Sequence, residues 1–443
     1  SYLRGDRVIE ACRKTGAEAV HPGYGFLSEN ADFAGLCSEN GITFIGPEPS
    51  AIRAMGSKSA AKSIMQAAGV PLVPGFHGEN ASDDELRSAA ADIGYPVLIK
   101  AVHGGGGKGI QVVEQADEFH ELFKRVTVEA RAAFGNGDVY LEKYVTALRH
   151  IEVQLLRDTH GNTKVLGLRD CSVQRDKQKV FEESDSTMLP ANLRETVFQS
   201  TSALADEVGY VGAGTVEFIY DVANEAVYFM EMNTRLQVEH PVTEWVSGID
   251  IVSEQFRIAS GESIAHLEPQ QNGYSIEARV NAERVQANAD GSLSFRPHPG
   301  EVTACEFPEE EGVEIIATVG EGKFVSPFYD SMVAQVIVHA GDRPAAVAKL
   351  LSYLDRITIQ GISTNIPLLK RVLADEVFNK GIYDTGYLPD FLARTDSESL
   401  IAEIDASAGE VSGGIDMDAI RIEDSDELKV LSPATAIFYT TPT

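Results

Sequence analysis

The chain lacks any run of eighteen consecutive apolar residues, so no helical membrane span can be argued from it. It also lacks a basic leader followed by an apolar stretch, so no signal peptide is legible. Cysteine is scarce: Cys12, Cys37, Cys171 and Cys305 lie far apart, with no C-x-x-C pair. That spacing argues against a disulfide frame or a zinc site and for reduced thiols in a reducing compartment. Positive charge is short as well, with 37 Lys and Arg against 67 Asp and Glu and a formal net charge of -30. Such a surface repels polyphosphate, which disfavours nonspecific nucleic-acid binding. Any anion pocket must then be built from a few selected Lys and Arg residues. Internal repeats and low-complexity arrays are absent, and so is an initiating Met. Ser1-Tyr2-Leu3 runs straight into an amphipathic segment, so upstream sequence, with any targeting peptide, is expected to be missing.

What is present is 443 residues with 43% hydrophobic content, enough for several packed units. Arg7 to Thr15 reads as a helix, and Ala17 to Val20 and Ile42 to Ile45 as short strands, the remnant of an α/β layer. Ala51 to Ala68 has a helical pattern that stops at Gly69, before Pro71 and Pro74, which places a joint there. A compact unit follows from about Val73 to Val145. It holds a strand from Tyr95 to Ala101, a glycine loop, a strand from Ile110 to Val113, and a helix from Asp117 that buries Phe119, Leu122, Phe123 and Val126. To about Ala393 the chain reads as a larger α+β body, opening with strands at Ile151 to Leu156 and Lys164 to Leu168. After Arg394, Ser, Asp, Glu and Gly dominate through Asp426 and read as a solvated linker, followed by the start of a further domain.

His103-Gly104-Gly105-Gly106-Gly107-Lys108-Gly109 puts four consecutive glycines between two apolar strands. Backbone amides can approach an anion there with no Cβ in the way, which suits a phosphate cradle. It is neither a dinucleotide fingerprint, since a strand rather than a helix follows, nor a Walker loop, since Gly109 stands where Ser or Thr is required. A flexible hairpin tip has the same composition. Lys100, alone among Val97, Leu98, Ile99 and Ala101, calls for an anionic partner.

Gly214 to Asp221 and Ala226 to Asn233, joined by Asn224-Glu225, read as a hairpin. Each strand carries one carboxylate inside apolar sequence, Glu217 and Glu231. With the amide oxygen of Asn233 they offer hard ligands suited to magnesium on a nucleotide phosphate, or else simply face solvent. Arg235, Gln237, Glu239 and His240 follow at high density. The planar fork of Arg235 suits an oxyanion and Glu239 suits a general base, although ion-paired structural roles use the same residues.

A further polar run, Asp170-Cys171-Ser172-Val173-Gln174-Arg175-Asp176-Lys177-Gln178-Lys179, joins these segments and His21-Pro22-Gly23-Tyr24-Gly25-Phe26-Leu27-Ser28-Glu29-Asn30. Taken together and in this order, over Tyr2 to about Leu368, they strongly resemble the biotin carboxylase family of ATP-grasp enzymes. The resemblance implies an α/β and α+β fold with a truncated N-terminal α/β domain (1–50) and a linker helix (51–72). An ATP-grasp lid (73–145) and core (146–262) would follow, then a C-terminal biotin carboxylase domain (263–393) and a linker with the start of a truncated downstream domain (394–443). Phe44-Ile45-Gly46-Pro47, Met55-Gly56-Ser57-Lys58-Ser59, Ile93-Gly94-Tyr95-Pro96-Val97 and Tyr210 to Phe218 look most like the biotin-containing alpha subunits of 3-methylcrotonyl-CoA carboxylases. Those subunits serve leucine degradation. Another acyl-CoA, pyruvate or urea carboxylase shares the same motifs.

Carried over by position, the resemblance implies that Lys58 and Lys100 reach ATP phosphates and that Gly106 and Gly107 belong to the loop closing over them. Glu142, Lys143, Tyr144 and Val145 would line the adenine pocket, with His150 and Lys177 approaching the nucleotide. Glu217 and Glu231 would serve both ATP and, with Asn233, magnesium or manganese. Lys179, Arg235, Gln237 and Val238 would meet bicarbonate, Glu239 would take its proton, and Arg279 with Arg235 would flank biotin. The catalytic set would be Arg235, Glu239 and Lys179. The implied cofactors are ATP, Mg2+ or Mn2+, and biotin on a carrier domain; no Met-Lys dipeptide occurs in the chain, so the attachment site must lie elsewhere. Implied partners are that carrier domain, a carboxyltransferase (beta) subunit and further copies of the chain, with neither nucleic acid nor membrane. The expected location is the mitochondrial matrix in a eukaryote and the cytoplasm in a bacterium.

Three departures stand out. Arg175-Asp176-Lys177 replaces the usual Arg-Arg-His, reversing one charge at Asp176. Glu182-Glu183-Ser184-Asp185-Ser186-Thr187 lacks two usual prolines, which should loosen that loop. Gln335 stands where a Lys is usual. A divergent, non-catalytic assembly subunit is the rival that these changes raise.

Overall fold

The computed structural model describes residues 2–56, 58–76, 82–102, 110–134, 137–409 and 438–439. The expected glycine loop, with Gly106 and Gly107, lies outside them, as does nearly everything after 409.

The centre of the molecule is one antiparallel eight-stranded sheet. Its spatial order is Ala226–Asn233, Gly212–Asp221, Leu148–Arg157, Thr163–Arg175, Gln178–Glu183, Tyr274–Asn281, Met332–Ala340 and Val313–Ala317. The sheet forms because alternating residues such as Ile151, Val153 and Leu155 are buried on one face, against the helix Ala191–Glu207. On the far half, Ile276, Ala278 and Val280 pack with Val336 and Val338 against Arg343–Leu354 and Ile366–Ala374. The two halves join where Phe181, Glu182 and Glu183 pair with Ala278, Glu277 and Ile276.

Two smaller units sit on this body. Residues before 50 form two short parallel strands, Ala19–Val20 and Thr43–Phe44, with helices Gly5–Thr15 and Ala31–Glu39. The helical pattern read over 51–68 is two helices, Pro49–Gly56 and Lys58–Ala67, either side of residue 57. The next unit is a four-stranded sheet of Gly75–Phe76, Val139–Lys143, Val97–Ala101 and Ile110–Val113. Helices Asp83–Ile93 and Phe119–Phe134 cover it, and Phe119 and Val126 are buried between them and the strands, as the periodicity implies. No described helix is long and apolar enough to cross a membrane.

Two expectations fail. Residues 397–407 are not linker but a helix, Ser397–Ser407, which buries Leu400 and Ile404 in the C-terminal core. Asp396 caps it by accepting from Ser399 N at 3.1 Å. Its apolar residues at i and i+4 were masked by the Ser, Asp and Glu around them. The 184–187 loop is also tied down rather than loose. Ser184 Oγ accepts from Ser275 N at 2.9 Å, Ser186 Oγ donates to Asp170 Oδ2 at 2.6 Å and Thr187 Oγ1 donates to the Gly381 carbonyl at 2.7 Å. Hydroxyl groups supply there the rigidity that prolines would have supplied.

Candidate active site

A row of ionisable residues crosses four strands of the main sheet. Glu231 opposes Glu217, Glu217 opposes Glu152, and Glu152 opposes Arg169. Direct partners project to the same face, so register alone gathers these groups. The row opens onto a cavity of ≈ 990 Å³ whose lining includes His150, Lys177, Lys179, Glu217, Glu231, Asn233, Arg235, Gln237, Val238, Glu239 and Arg279. Eleven of the expected site residues are thereby brought together. Glu217 is 5% exposed, which removes the solvent-facing alternative for it, whereas Glu231 is exposed at the cavity.

Glu217 Oε1 accepts from Asn233 Nδ2 at 2.5 Å and Gln237 Nε2 at 3.0 Å, while Oε2 lies 2.9 Å from His150 Nε2. Burial acts to raise its pKa, but His150, Lys179 and the Gln237 hydrogen bond outweigh burial and hold the carboxyl at about 2. For His150, burial acts downward and Glu217 more than restores it, leaving the imidazole above its ordinary value.

Lys179 Nζ is the hub. It donates to Glu152 Oε1 and, at 2.6 Å, to Glu239 Oε1, with Glu217 Oε1 at 3.8 Å. Arg279 holds the other side of Glu239, with Nη2 2.9 Å from Oε2, and its Nε reaches Glu182 Oε1 at 2.6 Å. Burial would raise the Glu239 carboxyl, yet Lys179, Arg279 and Arg169 overcome it and hold the group well below the usual carboxylate range. Glu239 is therefore an ionised base between two cations at neutral pH. It precedes the helix His240–Ser247, so its position is set by a helix start rather than by a mobile loop.

Arg235 is aimed by a residue of the N-terminal unit. Its Nε donates to Glu29 Oε2 at 2.9 Å, and Glu29 Oε1 accepts from Thr234 N at 2.9 Å. Its Nη2 donates to Asn233 Oδ1 at 3.2 Å. Asp176 and Lys177 form the two-residue turn between Thr163–Arg175 and Gln178–Glu183, with φ of +52° and +67°. Both line the cavity. Arg175 turns away from it to Glu283, 2.7 Å from both oxygens through Nη2.

The expected lid residues lie apart from this cavity lining. Lys100 finds its anionic partner in Glu142 at 2.5 Å, and Lys62, which sequence reading missed, pairs with the same carboxylate. Lys143 Nζ donates to the Gly94 carbonyl at 2.7 Å, at the end of the helix Asp83–Ile93. Tyr144 N donates to the Pro96 carbonyl at 3.1 Å, and Val145 is buried. Lys58 opens its helix, and its side chain is outside the described atoms.

Reading from sequence also missed Glu152, Arg169, Glu182 and Glu277, all buried. The signal for Glu152 was available: His150, Glu152 and Gln154 alternate with Ile151, Val153 and Leu155. For a metal, Glu217 and Glu231 offer oxygen donors side by side at the cavity and fit a hard divalent cation. His150, Glu152 and Glu217 also bring ligand atoms within 4.8 Å of one another. That set fits less well, because His150 is already engaged by Glu217, which raises its pKa and so opposes the neutral form that ligation needs.

Comparison with known proteins shows the family. The family models for the biotin carboxylase N-terminal domain, the carbamoyl-phosphate synthase L chain ATP-binding domain and the biotin carboxylase C-terminal domain match residues 1–52, 57–267 and 277–390. Biotin carboxylase 1 of Bacillus subtilis (strain 168) is 46% identical over 88% of this chain and 86% of its own length. The mitochondrial methylcrotonoyl-CoA carboxylase alpha subunit of Glycine max is also 46% identical over 88% of this chain, which spans 53% of that longer protein. Among solved structures, the biotin carboxylase domain dimer of Hydrogenobacter thermophilus 2-oxoglutarate carboxylase superposes with a TM-score of 0.78 at 44% identity. The match covers 88% of this chain and 85% of that one, which was solved with MgADP, ADP and bicarbonate. Family members use ATP, magnesium and biotin. The chain belongs to the biotin carboxylase family, with its ATP-grasp fold and ligase chemistry.

Proposed function

We propose that this chain carries out the ATP half-reaction of an acyl-CoA carboxylase, joining bicarbonate to biotin, and that the final acceptor is 3-methylcrotonyl-CoA. The observation that carries the first part is Glu239, ionised and clamped between Lys179 and Arg279 at the cavity wall. Bicarbonate entering there competes for donors from Lys179, Arg235 and Arg279. As those cations turn to the anion, Glu239 loses part of the field that depresses its pKa and becomes a stronger base, within reach of the bicarbonate proton. The resulting dianion attacks the γ-phosphate of ATP, the new P–O bond forming as the bond to the β-phosphate oxygen breaks, which releases ADP and leaves carboxyphosphate. Lys179, Arg235 and Gln237, already placed, then stabilise the charge that develops on the carboxyphosphate oxygens. Glu217 and Glu231 would hold magnesium, with Asn233, and the ion would neutralise phosphate charge. Biotin, when bound, would supply the ureido nitrogen that takes up the carbon dioxide set free from carboxyphosphate, its proton passing to the phosphate released, and Arg279 would hold the negative charge on its ring.

The methylcrotonyl assignment draws on the motifs around Phe44, Met55, Ile93 and Tyr210 and on the alpha-subunit relatives. The expected partners are a biotinylated carrier domain and a carboxyltransferase subunit. The test is ADP release with bicarbonate and free biotin. Biotin-stimulated, bicarbonate-dependent turnover supports the reading, and a folded chain with no turnover points to an assembly subunit. Supplying carrier and carboxyltransferase then ranks 3-methylcrotonyl-CoA against acetyl-CoA and pyruvate, and preference for either competitor overturns the acceptor.

A further inference from the structure

At the seam between the two halves of the main sheet, two buried glutamates oppose each other. Glu182 and Glu277 are register partners, so their side chains share one face of the sheet. Each keeps one oxygen, Oε2, with no hydrogen-bond partner. The nearby cations are already shared. Arg279 serves Glu182 and Glu239, Lys179 serves Glu239 and Glu152, and Arg169 serves Glu152. With Glu217 set against His150, the remaining four carboxylates face three cations, and the neighbour on the third strand is neutral. Gln335 Nε2 donates to Glu277 Oε1 at 2.9 Å and to the Val238 carbonyl at 2.8 Å. A buried carboxylate left without a counter-charge takes up a proton instead.

We propose that Glu277 is a neutral acid at neutral pH, its proton held between it and Glu182, and that it is a positioning residue for the bicarbonate site. Through Gln335 it is tied to Val238, the residue before Glu239. A neutral Glu277 leaves the Arg279 guanidinium to Glu182 and Glu239. An ionised Glu277 would compete for that guanidinium and set a second buried negative charge beside an anion site. The groups facing Glu277 agree with this: Glu182 from the preceding strand, Arg279 from its own, Glu239 from the helix start and Tyr24 from the N-terminal unit. Burial, then the Glu182 charge, push the Glu277 carboxyl well above its ordinary value, and burial pushes Glu182 to about 7.

The kinetic part rests on the function proposed above, and the spectroscopic part does not. The test is the infrared carbonyl band of a protonated carboxyl, followed against pH in the full chain, in Glu277→Gln and in Gln335→Lys. Wild type should show at pH 7 a band component that both variants lack, read as a wild-type-minus-variant difference in which the Glu244 contribution cancels; Gln335→Lys loses it because an ammonium ionises Glu277. Absence of a wild-type-minus-Glu277→Gln difference band overturns the buried acid. In wild type the KM for bicarbonate should rise several-fold as the band titrates away, with kcat changing less, and Glu277→Gln should show no such rise. An unchanged rise in Glu277→Gln removes the positioning role. If Gln335→Lys does not fold, wild type and Glu277→Gln still decide. A band lost in Glu277→Gln in a chain without ATPase activity supports the acid and counts against the function.

Discussion

Lys179 Nζ lies 2.6 Å from Glu239 Oε1 and bonds Glu152 on its other side, so one ammonium compensates two buried carboxylates. Lys179→Met leaves both without it. Breaking a buried pair on one side costs about 3 to 5 kcal/mol. We predict a loss of that order in urea unfolding, and biotin-dependent ADP release at background. Lys179→Arg should recover stability better than turnover, because its planar fork cannot reproduce the point contact.

Lys177 holds φ of +67° without being glycine. Left-handed backbone costs a residue with a Cβ roughly 1 to 2 kcal/mol, and glycine escapes it. Lys177→Gly should therefore raise the melting temperature while raising the KM for ATP, since the cavity loses an ammonium. A variant that is stabilised with KM unchanged would show that Lys177 does not meet the nucleotide. Asp176→Asn should lower that KM by removing the reversed charge.

Burial raises the Glu244 carboxyl to about 7, despite the hydrogen bond it accepts from Ile251 N at 2.6 Å. An acid whose folded pKa is raised has no linkage effect below its unfolded pKa near 4.5. The folded state then loses stability as pH rises from about 4.5 to about 7, because only the unfolded chain ionises freely. Glu244→Gln keeps the acceptor and removes the ionisation. Its stability advantage over wild type should grow through that window to roughly 3 kcal/mol, read from unfolding at pH 4.5 and pH 8.

Leu400 is fully buried on the helix Ser397–Ser407. Leu400→Ala should cost about 2 to 5 kcal/mol, as large-to-small core changes do. A linker position would lose almost nothing, so chemical denaturation separates the two descriptions.

The hairpin of 214–233 and the helix behind Phe119 were legible because a period of two or of 3.6 is written in local sequence. The site was legible as a list but not as a network. Nothing near Glu152 in sequence announces that it sits between Arg169 and Lys179, because that adjacency is created by the register of three strands. Glu29 is similar: its role is to aim Arg235, across 206 residues of chain. The Ser397–Ser407 helix was missed for the opposite reason, since composition over a long window outvoted two apolar residues one turn apart.

The seam of three residue pairs, Phe181 with Ala278, Glu182 with Glu277 and Glu183 with Ile276, sets the phase between the two halves of the enzyme. Lys179 and Glu239 belong to one side, Arg279 to the other. A slip of a single residue there would send every side chain of the Tyr274–Asn281 strand to the opposite face and carry Arg279 away from Glu239. Chimeras that exchange the C-terminal half between related carboxylases should therefore succeed or fail on how faithfully this short pairing is kept, before any difference in cavity lining matters.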